Sequence, residues 1–245
     1  MENLIKFSKI ILVTSAWLCA SVVFAADDHG GPVVPTPYKP GIAMTKSVQA
    51  SITPDQAISI LKAGNERFQS GKPLHRDLKK LVQQTALGQF PFASIVACID
   101  SRSGPELVFD QSIGVIFVAR VAGNVANEDI IGSLEYASKV AGSRAIVVLG
   151  HTNCGAVKGA CDGVKMGNLT ELLSKISPAV AAAKTTGERN SKNHAFVDEV
   201  TEINVQDTIA AIREKSPILK ELELQGKIKI VGAVYDTSNG KIEWQ

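Results

Sequence analysis

Apolar and polar positions form two kinds of alternating segment in the part of the chain after residue 90. Four short apolar runs, each suited to a buried strand, cover residues 92–98, 115–119, 145–149 and 228–234. Apolar residues recur at helical spacing in the segments between them, at residues 129–140, 154–164 and, as a longer set, 169–224. Fully apolar strands that alternate with amphipathic helices indicate a parallel sheet covered on both faces. The pattern therefore predicts an α/β fold with a mostly parallel central β-sheet flanked by helices.

Two further helices are predicted before the first strand. The sequence TPDQ at residues 53–56 combines a capping threonine, a proline suited to the first turn, an acid, and a glutamine three positions after the cap. Apolar residues then follow at helical spacing until Gly71, and a second amphipathic stretch extends from Leu78 to Leu87. We therefore predict that one folded domain spans residues 53–245.

The first 52 residues have a different composition from the rest of the chain. Two lysines precede an apolar run of 14 residues that ends at Val23, and Val23 and Ala25 stand at −3 and −1 from Ala26. This arrangement is typical of a cleaved signal peptide, residues 1–25, and the run is shorter than the ~20 residues of a membrane span. Residues 26–52, rich in proline and glycine, predict an extended linker. The mature protein is therefore expected to be periplasmic and free of the membrane.

Composition excludes several classes of protein. The 245 residues carry a net charge of +2, and only 5% are aromatic. Such a chain has neither the basic field nor the stacking side chains that a nucleic-acid-binding protein uses. Four cysteines are too few for a disulfide-stapled scaffold of this size. We therefore expect a globular protein with no nucleic-acid partner.

The residues with reactive side chains follow two of the predicted strands. Cys98 ends the first strand, and His151 and Cys154 follow the third. Ligand sites of parallel sheets form at the carboxyl ends of strands, and thiolates with imidazole are ligands for zinc. A lone buried cysteine is more often a small hydrophobe, but three such residues at two strand ends favour a metal site. A Cys–His nucleophile pair is the alternative, and it would leave Cys154 without a role.

Asp100 and Arg102 come directly after the first strand and face the same side if the strand continues. A carboxylate beside zinc either occupies the fourth coordination position or leaves it to water. An arginine offers that carboxylate a bidentate hydrogen-bonded pair instead. The simpler reading is that Asp100 only caps the next turn. The sequence leaves open whether Asp100 or water is the fourth ligand at neutral pH.

At these positions the sequence resembles the β-class carbonic anhydrases, in particular exported bacterial ones. The CIDSR segment at residues 98–102 and the HTNCG segment at 151–155 match the two signature stretches of that family. Further matches are the GNERF segment at 64–68, Val118 and Arg120, Gly123 and Asn124, and Tyr136. The family commonly has a Pro-Gly-acid turn where this chain has SIGV at residues 112–115. The shape of that loop is therefore expected to differ.

The resemblance implies reversible hydration of carbon dioxide to bicarbonate and a proton by a zinc-bound hydroxide, with one Zn²⁺ per subunit. It also implies a homodimer or a dimer of dimers, with N-terminal helices that pack on the dimer partner. By position, the metal ligands are Cys98, His151 and Cys154, and the pair that controls the fourth position is Asp100 and Arg102. The implied substrate pocket contains Gln89, Phe117, Tyr136 and Gly155, partly from across the dimer interface.

Two other functions are compatible with the same residues. The fold and zinc site could act on a related small substrate, carbonyl sulfide or carbon disulfide, or the protein could bind zinc without catalysis. Asp100, Arg102 and Gln89 argue against the second, because a structural site has no use for a movable fourth ligand. Cys161 lies seven positions after Cys154, ~10 Å along a shared helix, and is therefore expected to be a buried apolar residue.

Overall fold

The computed structural model describes residues 38–245 and contains one five-stranded sheet in the order β2-β1-β3-β4-β5. The strands are β1 (Ala93–Ala97), β2 (Ile116–Arg120), β3 (Ala145–His151), β4 (Lys229–Tyr235) and β5 (Ile242–Trp244). The first four pair in parallel, and β5 is antiparallel to β4. The predicted α/β class and all four predicted strands are confirmed. The three-residue β5 was not predicted, because it is too short to show an alternating pattern.

Ten α-helices surround the sheet within the described residues. They are α1 (Lys46–Ser51), α2 (Pro54–Gln69), α3 (Leu78–Thr85), α4 (Pro105–Val108), α5 (Glu128–Glu135), α6 (Gly155–Cys161), α7 (Gly167–Ser174), α8 (Ser177–Ala182), α9 (His194–Lys215) and α10 (Pro217–Leu224). A 3₁₀ turn covers Ala122–Asn124, and a π-helical turn, Tyr136–Val140, continues α5. Over residues 38–245, no helix has both the length and the apolar character needed to cross a bilayer.

The predicted start of the folded domain at Thr53 is wrong, because residues 38–52 already belong to the fold. Tyr38 and Ile52 are buried, and α1 lies between them. Within α1, the buried Gln49 Nε2 donates to the carbonyls of Pro91 and Ala141, each at 2.7 Å. The apolar residues here are few and widely spaced, so they gave no periodic signal. The predicted signal peptide and the first part of the predicted linker, residues 26–37, lie outside the described residues.

The predicted start of α2 is confirmed in detail. Thr53 Oγ1 accepts the backbone N–H of Gln56 at 3.2 Å, and the Gln56 side chain accepts the backbone N–H of Thr53 at 2.9 Å. This reciprocal pair satisfies two of the donors that a helix start leaves without partners. Pro54 occupies the first turn, where its missing N–H has no cost. The helix ends before Gly71, which adopts a φ of +65°.

Apolar side chains on both faces of the sheet fix its strands in place. Ile95 of β1 and Val147 of β3 pack on the side that α2 covers, and Val96 and Val148 pack on the side that α9 covers. Burial of each such side chain contributes about 1.5–3 kcal/mol. β1 and β3 are neighbours, with Ala97 opposite Leu149. The residues that follow these two strands are therefore held at the same edge of the sheet.

Candidate metal centre

Cys98, His151 and Cys154 meet at the carboxyl edge of the sheet. Their candidate ligand atoms all lie within 4.8 Å of one another, and all three residues are buried. Cys98 directly follows β1, His151 is the last residue of β3, and Cys154 precedes the first residue of α6. Asn153, between His151 and Cys154, has a φ of +55°, a conformation that asparagine tolerates better than most residues. This turn brings His151 and Cys154 to the same point.

The donor atoms fit a zinc ion. His151 Nδ1 lies 2.9 Å from the Thr152 carbonyl oxygen, which can only accept, so Nδ1 carries the proton and Nε2 a lone pair. His151 is 1% exposed, and its Nε2 has no hydrogen-bond partner among residues 38–245. The Cys98 and Cys154 sulfurs are 3.9 Å apart, close to the ~3.8 Å that two ~2.3 Å Zn–S bonds span in a tetrahedron. A bound cation would therefore satisfy an otherwise unpartnered buried nitrogen.

The surroundings of the two cysteines favour the thiolate form at Cys98 over the thiolate form at Cys154. The hydrogen bond from the Cys154 thiol lowers the pKa of Cys98, against the effect of burial, and the backbone N–H of Gly123 lowers it further. Donation to Cys98, together with burial, raises the pKa of Cys154. A thiolate at Cys98, surrounded by apolar side chains, would attract a cation strongly.

A second layer of contacts holds Cys98. The Gly123 N–H donates to Cys98 Sγ at 3.3 Å, and the Gly123 carbonyl accepts from Asn204 Nδ2 at 2.8 Å. Gly123 has a φ of +72°, and an added Cβ would lie 2.6 Å from the Ile176 side chain. Asn204 was not identified from the sequence. Its one available signal is a polar residue on the apolar face of α9, where it is 1% exposed.

Asp100 and Arg102 form the predicted pair beside this site. Arg102 Nε donates to Asp100 Oδ1 at 3.0 Å and Arg102 Nη2 to Oδ2 at 2.8 Å, while the Arg102 backbone N–H also reaches Oδ1 at 2.9 Å. The side-chain hydrogen bond from Arg102 lowers the pKa of Asp100 to about 2, against the effect of burial. Asp100 Oδ2 lies 3.9 Å from His151 Nε2, so the carboxylate borders the metal site while Arg102 binds it.

A cavity of about 790 Å³ lies along β2 and α5 and is lined by Phe117, Tyr136 and Arg120. The Phe117 and Tyr136 rings meet edge to face, with centroids 6.4 Å apart. Arg120 joins the cavity to the metal site, because its Nε donates to the Cys98 carbonyl at 2.8 Å and its Nη2 to the Asp100 carbonyl at 2.5 Å. Two of the four predicted pocket residues therefore lie together.

The other two predicted pocket residues lie elsewhere in the single chain. Gln89 is exposed on the segment between α3 and β1, and it is not among the residues that line the cavity. Gly155 begins α6 and is exposed, with open space around the position of its missing Cβ. Cys161, expected to be a buried apolar residue, is indeed buried with a free thiol, and burial raises its pKa.

The fold and the site together define an α/β metalloprotein with a Cys-His-Cys group at the ends of two parallel strands. A model of the carbonic anhydrase family matches residues 93–242. Carbonic anhydrase 2 of Mycobacterium tuberculosis is 35% identical over 195 residues, which cover 77% of this chain and 91% of that protein. The chain therefore belongs to the β-class carbonic anhydrases, zinc enzymes that interconvert carbon dioxide and bicarbonate.

Solved structures agree with this assignment. The β-carbonic anhydrase of Coccomyxa, solved with acetazolamide, has a TM-score of 0.58 at 25% identity, over 66% of this chain and 75% of that one. A tetrameric β-carbonic anhydrase from Sordaria macrospora has the same fold, with a TM-score of 0.58 at 23% identity, over 74% of this chain and 90% of that one.

Proposed function

We propose that Cys98, His151 and Cys154 hold the zinc ion and that Asp100, held by Arg102, is the acceptor group of the hydration reaction. The observation that carries the first part is the buried His151 Nε2, which has two sulfurs beside it and no partner among the described residues. When bound there, zinc supplies the Lewis acidity that lowers the pKa of a coordinated water. Two thiolates neutralise the ion's charge, so proton removal needs help from a nearby hydrogen-bond acceptor.

Asp100 is suited to that role because of how Arg102 binds it. Both carboxylate oxygens accept from Arg102, and Oδ2 still lies 3.9 Å from His151 Nε2, with lone pairs free to accept another hydrogen bond. With its pKa at about 2, Asp100 stays ionised throughout the neutral range. Phe117 and Tyr136 give the adjoining cavity an apolar wall that suits an uncharged substrate such as carbon dioxide.

Stopped-flow carbon dioxide hydration and metal analysis test these assignments. We expect the wild-type protein to contain about one zinc per chain, and Cys98→Ser to lose the metal and at least about 100-fold in activity. Asp100→Asn should keep zinc and lose activity. The matched control is Cys161→Ser, which changes a buried free cysteine outside the site and should keep both. A zinc-free active wild type, or full zinc in Cys98→Ser, would contradict the proposal.

We further propose that a second copy of the chain covers the outer side of β2. β2 is the edge strand at the end of the sheet opposite β5, and none of its residues is fully buried. Tyr136 beside it is 56% exposed, and its ring adjoins that of Phe117, so the two form an apolar surface that a second copy would bury. Gln89, exposed in the single chain, would then be contributed to the partner's pocket. The tetrameric Sordaria relative supports assembly of this fold.

Sedimentation analysis tests this interface. We expect a dimer or larger assembly for the wild type and a monomer with reduced activity for Tyr136→Glu. Val164→Glu is the control, because Val164 is also an exposed apolar residue, at 41%, and follows α6 rather than adjoining β2. A monomeric wild type with full activity would contradict the proposed dimer.

Export to the periplasm is proposed from the sequence of residues 1–25. The basic residues, the short apolar run and the small residues before Ala26 support a cleaved signal peptide. Fractionation of cells that express the full chain should place the protein in the periplasm, and N-terminal sequencing should begin at Ala26. Recovered protein that begins at Met1 would contradict cleavage.

A further inference from the structure

Thr152 links the metal site to a distant part of the chain. Its carbonyl oxygen lies 2.9 Å from His151 Nδ1 and is the acceptor that sets the proton position on that imidazole. A histidine ligand whose other nitrogen donates to a fixed carbonyl is held in one tautomer and one ring orientation. The position of the Thr152 peptide therefore matters for the lone pair on His151 Nε2.

The segment that follows β4 holds Thr152 at both its backbone and its side chain. The Thr152 N–H donates to the Tyr235 carbonyl at 2.9 Å. The Thr237 N–H donates to Thr152 Oγ1 at 3.0 Å, and the two threonine hydroxyl oxygens are 3.1 Å apart. Asp236 Oδ1 lies 3.5 Å from the same hydroxyl. Thr152, the residue that carries the carbonyl, is therefore held through both its backbone N–H and its side chain.

The turn at residues 236–240 is itself anchored on α2. Asn65 Nδ2 donates to the Gly240 carbonyl at 2.9 Å, and Asn65 Oδ1 accepts the N–H of Ile242 at 3.1 Å. Gly64, next to Asn65, lets α2 approach a different segment, because an added Cβ there would lie 1.8 Å from the Phe109 carbonyl oxygen. Asn65 of the GNERF segment therefore anchors the turn that holds Thr152.

We propose that Thr152, held by the turn at residues 236–240, is a positioning residue for His151. Its side chain fixes the carbonyl that keeps the proton on His151 Nδ1 and leaves Nε2 free to bind metal. The inference rests on the proposed zinc ligands. It differs from them in assigning metal affinity to a hydroxyl group that touches neither the metal nor the substrate.

The pair Thr152→Val and Thr152→Ser tests the proposal, because valine keeps the shape of threonine without its hydroxyl and serine keeps the hydroxyl without the methyl group. Zinc affinity is measured on the full chain by competition with a chelator, and the His151 tautomer by ¹⁵N NMR of the metal-free protein. We expect Thr152→Val to weaken zinc binding by about tenfold, with a mixture of tautomers, and Thr152→Ser to stay within about threefold of wild type. Thr237→Val, which keeps the Thr237 N–H but removes its hydroxyl, should weaken binding by less than Thr152→Val.

Each outcome decides between positioning and a merely structural role. If Thr152→Val lowers the melting temperature but leaves zinc affinity and the tautomer unchanged, the proposal is wrong. Equal losses in the valine and serine variants would also overturn it. If Thr152→Val does not fold, unchanged zinc affinity in Thr237→Val overturns the proposal, and weakened affinity that Thr237→Ser restores supports it. Failure of the zinc site itself gives a different result, because wild type would not bind zinc or Cys98→Ser would bind it normally.

Discussion

Replacing Asn204 with leucine tests whether a residue of α9 supports a metal ligand that it does not touch. The substitution removes the amide that donates to the Gly123 carbonyl at 2.8 Å and replaces it with a side chain of similar size. The Gly123 N–H, on the same residue, donates to Cys98 Sγ at 3.3 Å. Without the hydrogen bond from Asn204, we expect Gly123 to move more freely, which weakens its hydrogen bond to Cys98. Weaker support of Cys98 should in turn weaken zinc binding.

The expected magnitude follows from the environment of the two bonds. Asn204 is 1% exposed, so an unpaired Gly123 carbonyl costs about 1–3 kcal/mol of folding stability. A hydrogen bond to a charged acceptor contributes about 1.5–3 kcal/mol, and losing part of the N–H···S bond would cost about 1 kcal/mol. Because 1.4 kcal/mol corresponds to tenfold in a binding constant, zinc affinity should fall by about fivefold.

Chelator competition measures this loss, and Thr201→Val provides the matched control. Thr201 lies on the same helix and is also 1% exposed, but its hydroxyl donates to the Val197 carbonyl within α9. The control should lose some stability and keep its zinc affinity. If Asn204→Leu folds and binds zinc as tightly as Thr201→Val does, the Gly123 contact does not support Cys98 and the reasoning fails.

Three further predictions concern stability. Asp110→Asn should lower the free energy of unfolding in urea by about 3 kcal/mol, because it removes the charge of a 2%-exposed carboxylate that Arg67 and Arg76 each contact at 2.5 Å. A loss as small as that of an exposed Asp77→Asn control would contradict this. Gly64→Ala should cost about 3 kcal/mol in the same assay, since its Cβ would lie 1.8 Å from the Phe109 carbonyl oxygen, and a wild-type midpoint would show that α2 moves freely. Although burial opposes it, hydrogen bonds from Arg76 and Arg67 hold the pKa of Asp110 below its usual range. The contribution of Asp110 to folding stability is therefore full above about pH 4 and is lost as the pH falls further. The melting temperature should decline with pH in that range, less steeply in Asp110→Asn than in wild type, and equal slopes would refute the assignment.

Local patterns in the sequence predicted most of the fold. The four parallel strands are short apolar runs, of which β1 and β3 are buried along their whole length, and α2 has a complete capping box. Each of these elements therefore carries its signal within a few neighbouring residues. α1 has six residues and β5 has three, too short for a periodic pattern. Both are stabilised by contacts with distant segments, such as Gln49 with Pro91 and Ala141, that no local pattern encodes.

The candidate site also combines residues that the sequence predicts with residues that only the folded structure reveals. Cys98, His151 and Cys154 could be brought together from the sequence because residues after adjacent parallel strands share one edge of the sheet. The residues that support these three ligands could not be predicted in this way. Asn204 is 81 positions from Gly123, and Thr237 is 85 positions from Thr152. A single sequence has no feature that pairs such residues, because their hydrogen bonds depend on how α9 and the β4–β5 turn pack.

Cys98 and His151 are supported by separate contacts, and this separation can itself be tested. Asn204 acts on Cys98 through Gly123, whereas Thr152 acts on His151 through its carbonyl, and the two pathways share no hydrogen-bond partner. Independent perturbations add in free energy, so the double variant Asn204→Leu with Thr152→Val should bind zinc about fiftyfold more weakly than wild type. If the double variant binds zinc no more weakly than the worse single variant, both substitutions act through one common loosening of the site, and the two supports are not independent.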